Sequence, residues 1–110
     1  MVKITVVYEH YVRFGPGPIM MGTVVAPKLR EALLTLADKL SMYSRREEIL
    51  EDEKYEGKKF TDEEILDRYF ISVNGDGCDT ISFIKEETTG KYLYKFPYEN
   101  EADPDWTVTV

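Results

Sequence analysis

The chain has 110 residues, the length of one domain, and 43% of them are apolar, with eight Tyr, five Phe and one Trp to fill a core. Its single cysteine, Cys78, excludes an intramolecular disulfide, and no apolar run is long or unbroken enough to span a bilayer. A net charge of −7 argues against nonspecific binding to nucleic acid or anionic lipid.

Residues 2–14 read as a strand, with Val2, Ile4, Val6, Tyr8, Val12 and Phe14 on one parity and His10 among them. Gly15-Pro16-Gly17-Pro18 reverses the chain, because proline withholds its amide and glycine permits positive φ. A second strand, Ile19 to Ala26, is expected to pair back as a hairpin. Pro27 suits the first turn of a helix. The stripe Leu29, Ala32, Leu33, Leu36, Ala37, Leu40 and Tyr43 predicts one main amphipathic helix lying across the sheet.

Ser44-Arg45-Arg46-Glu47 fits a capping box, so a second helix is expected over 44–53, with one bent helix to Glu53 as the alternative. Residues 54–59 read as a loop. Thr61-Asp62-Glu63-Glu64 is another capping box, with Phe60 and Ile65 placed as a hydrophobic staple, and predicts a short helix from Asp62 to about Arg68. Tyr69, Ile71 and Val73 then alternate as a strand, and Asn74 to Asp79 is a turn-rich loop. Strands at Ile81–Ile84 and Tyr92–Phe96 flank a Thr88-Thr89-Gly90 turn, and a terminal strand covers Trp106–Val110. The expected fold is a single α+β domain over 1–110. An antiparallel sheet, built from the N-terminal hairpin and the C-terminal strands, is packed by the main helix, with one or two short acidic helices beside it. The lone cysteine and a first stretch that meets charge early point to a reducing, cytoplasmic compartment.

Few residues here suit catalysis. A Ser or Cys nucleophile needs a base, and His10 is the only histidine. Asp76 and Asp79 flank Cys78, and negative charge discourages a thiolate. Two His/Cys residues are too few for zinc. Aligning Gly77 as the central glycine of a calcium loop puts Phe83 where a bidentate glutamate belongs. The prolines of 15–18 spoil a phosphate nest, and Gly57-Lys58-Lys59 lacks the hydroxyl of a Walker motif. No cofactor, metal or catalytic residue is assigned.

Charge distribution is more telling than its total. Residues 1–46 carry +4, 47–67 carry −7, 68–98 balance, and 99–110 carry −4. On a helix, Glu47/Glu51 and Glu48/Asp52 are like-charged pairs one turn apart, each destabilising by a few tenths of a kcal/mol. A basic partner would relieve them. The candidate partner-binding set is therefore Glu47, Glu48, Glu51, Asp52, Glu53, Tyr55 and Glu56, with Tyr55 as an exposed anchor. Glu99, Glu101, Asp103 and Asp105 form a second grouping, read as a solvated connection.

The function expected is a non-catalytic module that binds a basic protein surface, without binding nucleic acid or membrane itself. In its sharpest form it inhibits a nucleic-acid-binding protein by imitating phosphates. Small acidic phage proteins directed against host nucleases, anti-CRISPR proteins among them, are similar to this chain in composition, though no family motif is present. Two alternatives are a small enzyme or metabolite-binding domain using carboxylates and tyrosines, and an assembly subunit that pairs through an exposed strand edge.

Overall fold

The computed structural model describes residues 1–40, 45–96, 102 and 104–110. The apolar alternation after Met1 forms β1 (Val2–Glu9), and β2 (Ile19–Ala26) pairs antiparallel with it from Val2↔Ala26 to Glu9↔Ile19. The hairpin is as expected, but β1 ends at Glu9 rather than Phe14. His10 N–H donates to the Pro18 carbonyl at 2.8 Å, and Tyr11 N–H is then drawn away to the Asp79 carboxylate, also at 2.8 Å. Pro16 and Pro18 have no amides to continue the ladder, so 10–18 is a loop with Phe14 fully in solvent.

Helix α1 (Leu29–Lys39) buries Ala32, Leu33, Leu34, Leu36 and Ala37 against the sheet. Leu40 is extended, so α2 (Arg46–Glu56) is a separate helix rather than the continuation of a bent one. The proposed cap Ser44 and the stripe residue Tyr43 lie outside the described residues. Arg45 holds the N-cap position without a side-chain bond. Helix α2 runs three residues past the expected Glu53. Its terminator is Gly57, whose φ of 70° lets the chain turn left-handed while its N–H caps the Glu53 carbonyl.

Helix α3 (Asp62–Leu66) starts with the complete capping box: Glu64 N–H donates to Thr61 Oγ1, and Thr61 N–H donates to the Glu64 carboxylate, each at 3.2 Å. Thr61→Ala is expected to cost about 1 kcal/mol, read as a lower urea midpoint at unchanged slope. The strand expected at 69–73 is instead a π-helical turn, Asp67–Ile71, continuing α3. Nothing between Asp62 and Asn74 stops a helix. The turn also buries the adjacent Tyr69 and Phe70 together, whereas a strand would point neighbours to opposite sides.

Strand β3 (Thr80–Glu86) lies antiparallel on the far side of β1, and β4 (Lys91–Lys95) pairs antiparallel with β3. A bulge at Val7/Tyr8 sets Ile81 against Tyr8 and Ile84 against Val6, so two residues of opposite parity both enter the core. Glu86 closes the β3–β4 turn, accepting the Thr89 hydroxyl and the N–H groups of Thr89 and Thr88 at 2.8 and 3.0 Å. Those donors hold its carboxyl down at about 2.

Strand β5 (Pro104–Thr109) joins the other edge parallel to β2, giving a mostly antiparallel five-stranded sheet of order β4-β3-β1-β2-β5. One face of this sheet carries the helices and one hydrophobic core, in which Phe70, Leu33, Leu36, Ile49, Ile65 and Ile84 are all fully buried. Among the described residues no helix is long and apolar enough to cross a membrane.

Candidate protein-binding face on α2

Helix α2 buries only two side chains, Ile49 and Glu53, one turn apart. That pair sets its orientation, and with it the fate of every acid on the helix. Glu53 faces inward. Its Oε1 and Oε2 accept Arg30 Nη2 at 2.6 Å and Nη1 at 2.8 Å, and Oε2 also accepts Phe60 N–H at 2.7 Å. Arg30 Nη1 reaches the Phe60 carbonyl at 3.4 Å as well. A single carboxylate therefore ties α1, α2 and the entry to α3 together. The Arg30 guanidinium, followed by the Phe60 amide, pulls the Glu53 pKa below the ordinary carboxylate value against the opposing effect of burial. Glu53 is thus a strut of the fold, not part of an outward-facing row.

Two further members of the expected set are engaged at the flanks. Asp52 accepts the Tyr69 hydroxyl at 2.6 Å, and burial together with that carboxylate pushes the phenol pKa well up. Glu56 pairs with Arg68 at 2.7 Å, and the Arg68 guanidinium in turn lies 4.5 Å over the Phe60 ring. Neighbouring acids are paired too: Glu31 with Arg46 at 3.2 Å, and Glu64 with Lys58 at 2.8 Å. Lys58, with the Thr61 amide, draws the Glu64 carboxyl down to about 2.

The remaining members, Glu47, Glu48, Glu51 and Tyr55, share the opposite side of α2. All four are exposed, and Tyr55 shows 93% of its surface. Among the described residues, none of the three glutamates has an ion pair or a side-chain hydrogen bond. Glu51 precedes Tyr55 by four positions and Glu48 by seven, so the carboxylates lead up to the ring along one stripe. Glu47 and Glu48 also sit in the first turn, where the helix dipole favours them. The structure divides the sequence-predicted set into three members engaged in the fold, Glu53 facing in with Asp52 and Glu56 at the flanks, and four left free on the outward side. Of the second acidic grouping, Glu99, Glu101 and Asp103 lie outside the described residues, while Asp105 is exposed on β5.

The other place where chemistry-bearing groups meet is a cavity of about 150 Å³ between the 10–18 loop and the 74–79 turn, lined by Glu9, His10, Cys78 and Thr80 among others. His10 Nδ1 stands 3.1 Å from Asp79 Oδ1, and Asp79 is 1% exposed. Bonded to both His10 and Tyr11, Asp79 pins the end of β1 to the start of β3. Cys78 is buried, and its Sγ contacts the Asp76 carbonyl at 3.5 Å. A thiol turned onto a backbone carbonyl and shielded from solvent is poorly placed for attack on a substrate. Among the described residues no three His, Cys, Asp or Glu side chains group as metal ligands.

Comparison with protein-family models, curated proteins and solved structures finds no match to this chain.

Proposed function

We propose that this protein is a non-catalytic binding module whose outward face of α2 docks on a basic protein surface. The observation that carries the reading is the division of labour on that helix. On α2 the acids the fold uses are paired, and those left over form one stripe that ends on an exposed tyrosine. Glu47, Glu48 and Glu51 repel one another in the free protein, and cations of a partner would relieve that cost on binding. Tyr55 supplies what charge alone does not: rigid apolar area with a hydrogen-bonding tip, the profile of an interface anchor. In its sharpest form the module competes with nucleic acid for a basic groove, so the partner is a nucleic-acid-binding protein.

The test is affinity capture from lysate of the source organism or its host, with and without nuclease, read by mass spectrometry. The expected catch is a basic protein that persists after nuclease and is released by salt. Tyr55→Ala is expected to weaken its retention by more than about tenfold, the loss of a hot-spot residue. Capture that disappears with nuclease, or that ignores Tyr55, contradicts the proposal.

A further inference from the structure

The two edges of the sheet are built differently. Strand β4 carries Lys91 and Lys95 at its ends, the charges that keep an edge from pairing with another chain. Strand β5 keeps its guards, Pro104, Asp105 and a bulge, at its first end only: from Trp106 to Val110 it reads Trp-Thr-Val-Thr-Val, β-prone and uncharged. No strand among the described residues lies beyond it.

We infer that β5 pairs antiparallel with β5 of a second copy, about a two-fold axis at Thr107. The backbone fixes which groups are free. Val110 N–H bonds to the Val25 carbonyl of β2 at 2.8 Å, so residues of its parity, Trp106 and Val108, direct their amides inward. Thr107 and Thr109 therefore turn theirs outward, while the bulge at Asp105 breaks the alternation before Trp106. In an antiparallel pair, residues with outward amides face each other as hydrogen-bonded pairs. Centring on Thr107 makes Thr107 face its own copy in such a pair, and sets Thr109 opposite the Asp105 bulge.

Side chains agree with the same register. Thr107 against Thr107 is a favourable cross-strand pair, and Trp106 meets Val108 as an aromatic–β-branched pair on the helix-bearing side. Asp105 lies opposite Thr109 rather than its own copy, so the strand's one charge meets no like charge. The segment is self-complementary, which is what a two-fold interface demands of a single strand. The result is a continuous ten-stranded sheet with both helical layers on one side.

The inference is independent of the α2 face and is tested on the purified full chain at about 0.15 M salt, where repulsion between two acidic molecules is screened beyond about 8 Å. Sedimentation equilibrium is expected to show the mass rising with concentration from 12.8 kDa toward twice that value. Thr107→Lys places like charges directly opposite across the axis and is expected to hold the mass at the monomer value. Thr107 is exposed, and far-ultraviolet circular dichroism checks that the variant is folded. A second variant reads the register itself. In Thr107→Cys the paired Cα atoms stand about 5.5 Å apart, within disulfide range, and mild oxidation yields a covalent dimer. In Thr109→Cys the two thiols are separated by four residues of strand, roughly 13 Å, and none forms. A monomer at all concentrations, or equal cross-linking of the two cysteine variants, overturns the inference.

Discussion

Glu53→Ala is expected to lower the unfolding free energy by about 3 kcal/mol, the low end for breaking a buried pair, because the Arg30 guanidinium left without its carboxylate is only part-buried. For a domain of this size that is a fall of more than about 10 °C in melting temperature. The loss comes from three directions at once: α1 loses its tie through Arg30, α2 its inward polar contact, and the α3 entry the acceptor for Phe60 N–H. A graded series separates these contributions. Glu53→Gln keeps an acceptor for the Phe60 amide but not the charge, and is expected to fall between wild type and Ala. Arg30→Met with Glu53→Leu removes the ion pair as a unit and is expected to recover most of the loss. It leaves the Phe60 amide unsatisfied, worth about 1–3 kcal/mol, and removes the long Arg30 bond to the Phe60 carbonyl. The pH dependence follows from the direction of the shift. The Glu53 pKa is depressed from 4.5 on folding, so its stabilisation is complete above that value and is lost as acid protonates the folded carboxyl. Denaturant melts of wild type and Glu53→Ala should therefore converge below the ordinary carboxylate range. If they remain equally far apart in acid, the effect is packing rather than charge.

Gly22→Ala is expected to release β5. A Cβ at Gly22 would lie 2.1 to 2.4 Å from the Cζ2, Cε2 and Cη2 atoms of Trp106, too close for a rigid ring packed across the β2–β5 ladder. Trp106 Nε1 also donates to the Tyr8 hydroxyl at 3.0 Å, so shifting the ring breaks a bond into the central strand. Overpacking of this kind costs about 1–3 kcal/mol. Trp106 is the only tryptophan, and fluorescence therefore reports on β5 alone. The expected result is red-shifted emission with a destabilised but helical domain. Unchanged emission in Gly22→Ala would mean that the ring has room to move, and that its contact with β2 does not hold the edge strand.

Much of this architecture was legible from local chemistry. The hairpin of β1 and β2, the stripe of α1 as far as Ala37 and the Thr61 capping box each rest on one dominant signal and formed where it lies, whereas Leu40, expected on the stripe, is extended beyond the helix. Errors arose where period-2 and helical patterns compete. Tyr69, Ile71 and Val73 alternate like a strand, yet the helix begun at Thr61 meets no breaker and runs through them. At residues 54–56, polarity suggested a loop, whereas Gly57 sets the boundary. Composition alone could not divide the acids, because charge carries no direction. The clue was positional: Glu53 follows Ile49 by four residues, so packing Ile49 takes Glu53 inward, and Glu51 and Tyr55 outward. Gly22 in mid-strand was likewise a mark of close approach, but only the parallel pairing of β5 shows that Trp106 is what approaches. That pairing depends on contacts remote in sequence, and no local pattern encodes it.

Two charge reversals of equal size distinguish contact through the free stripe of α2 from attraction by overall acidity. Glu48→Lys with Glu51→Lys changes the stripe. Asp76→Lys with Glu87→Lys changes exposed acids elsewhere. Both variants and the wild type are used to capture protein from the same lysate, with partner retention quantified by mass spectrometry and folding checked by thermal melts. The α2 pair is expected to lose the partner by about a hundredfold, as reversing close charge pairs across an interface does, while the control pair retains it. Equal loss from both variants would show that binding follows net charge alone, and retention by the α2 pair would show that the stripe makes no contact.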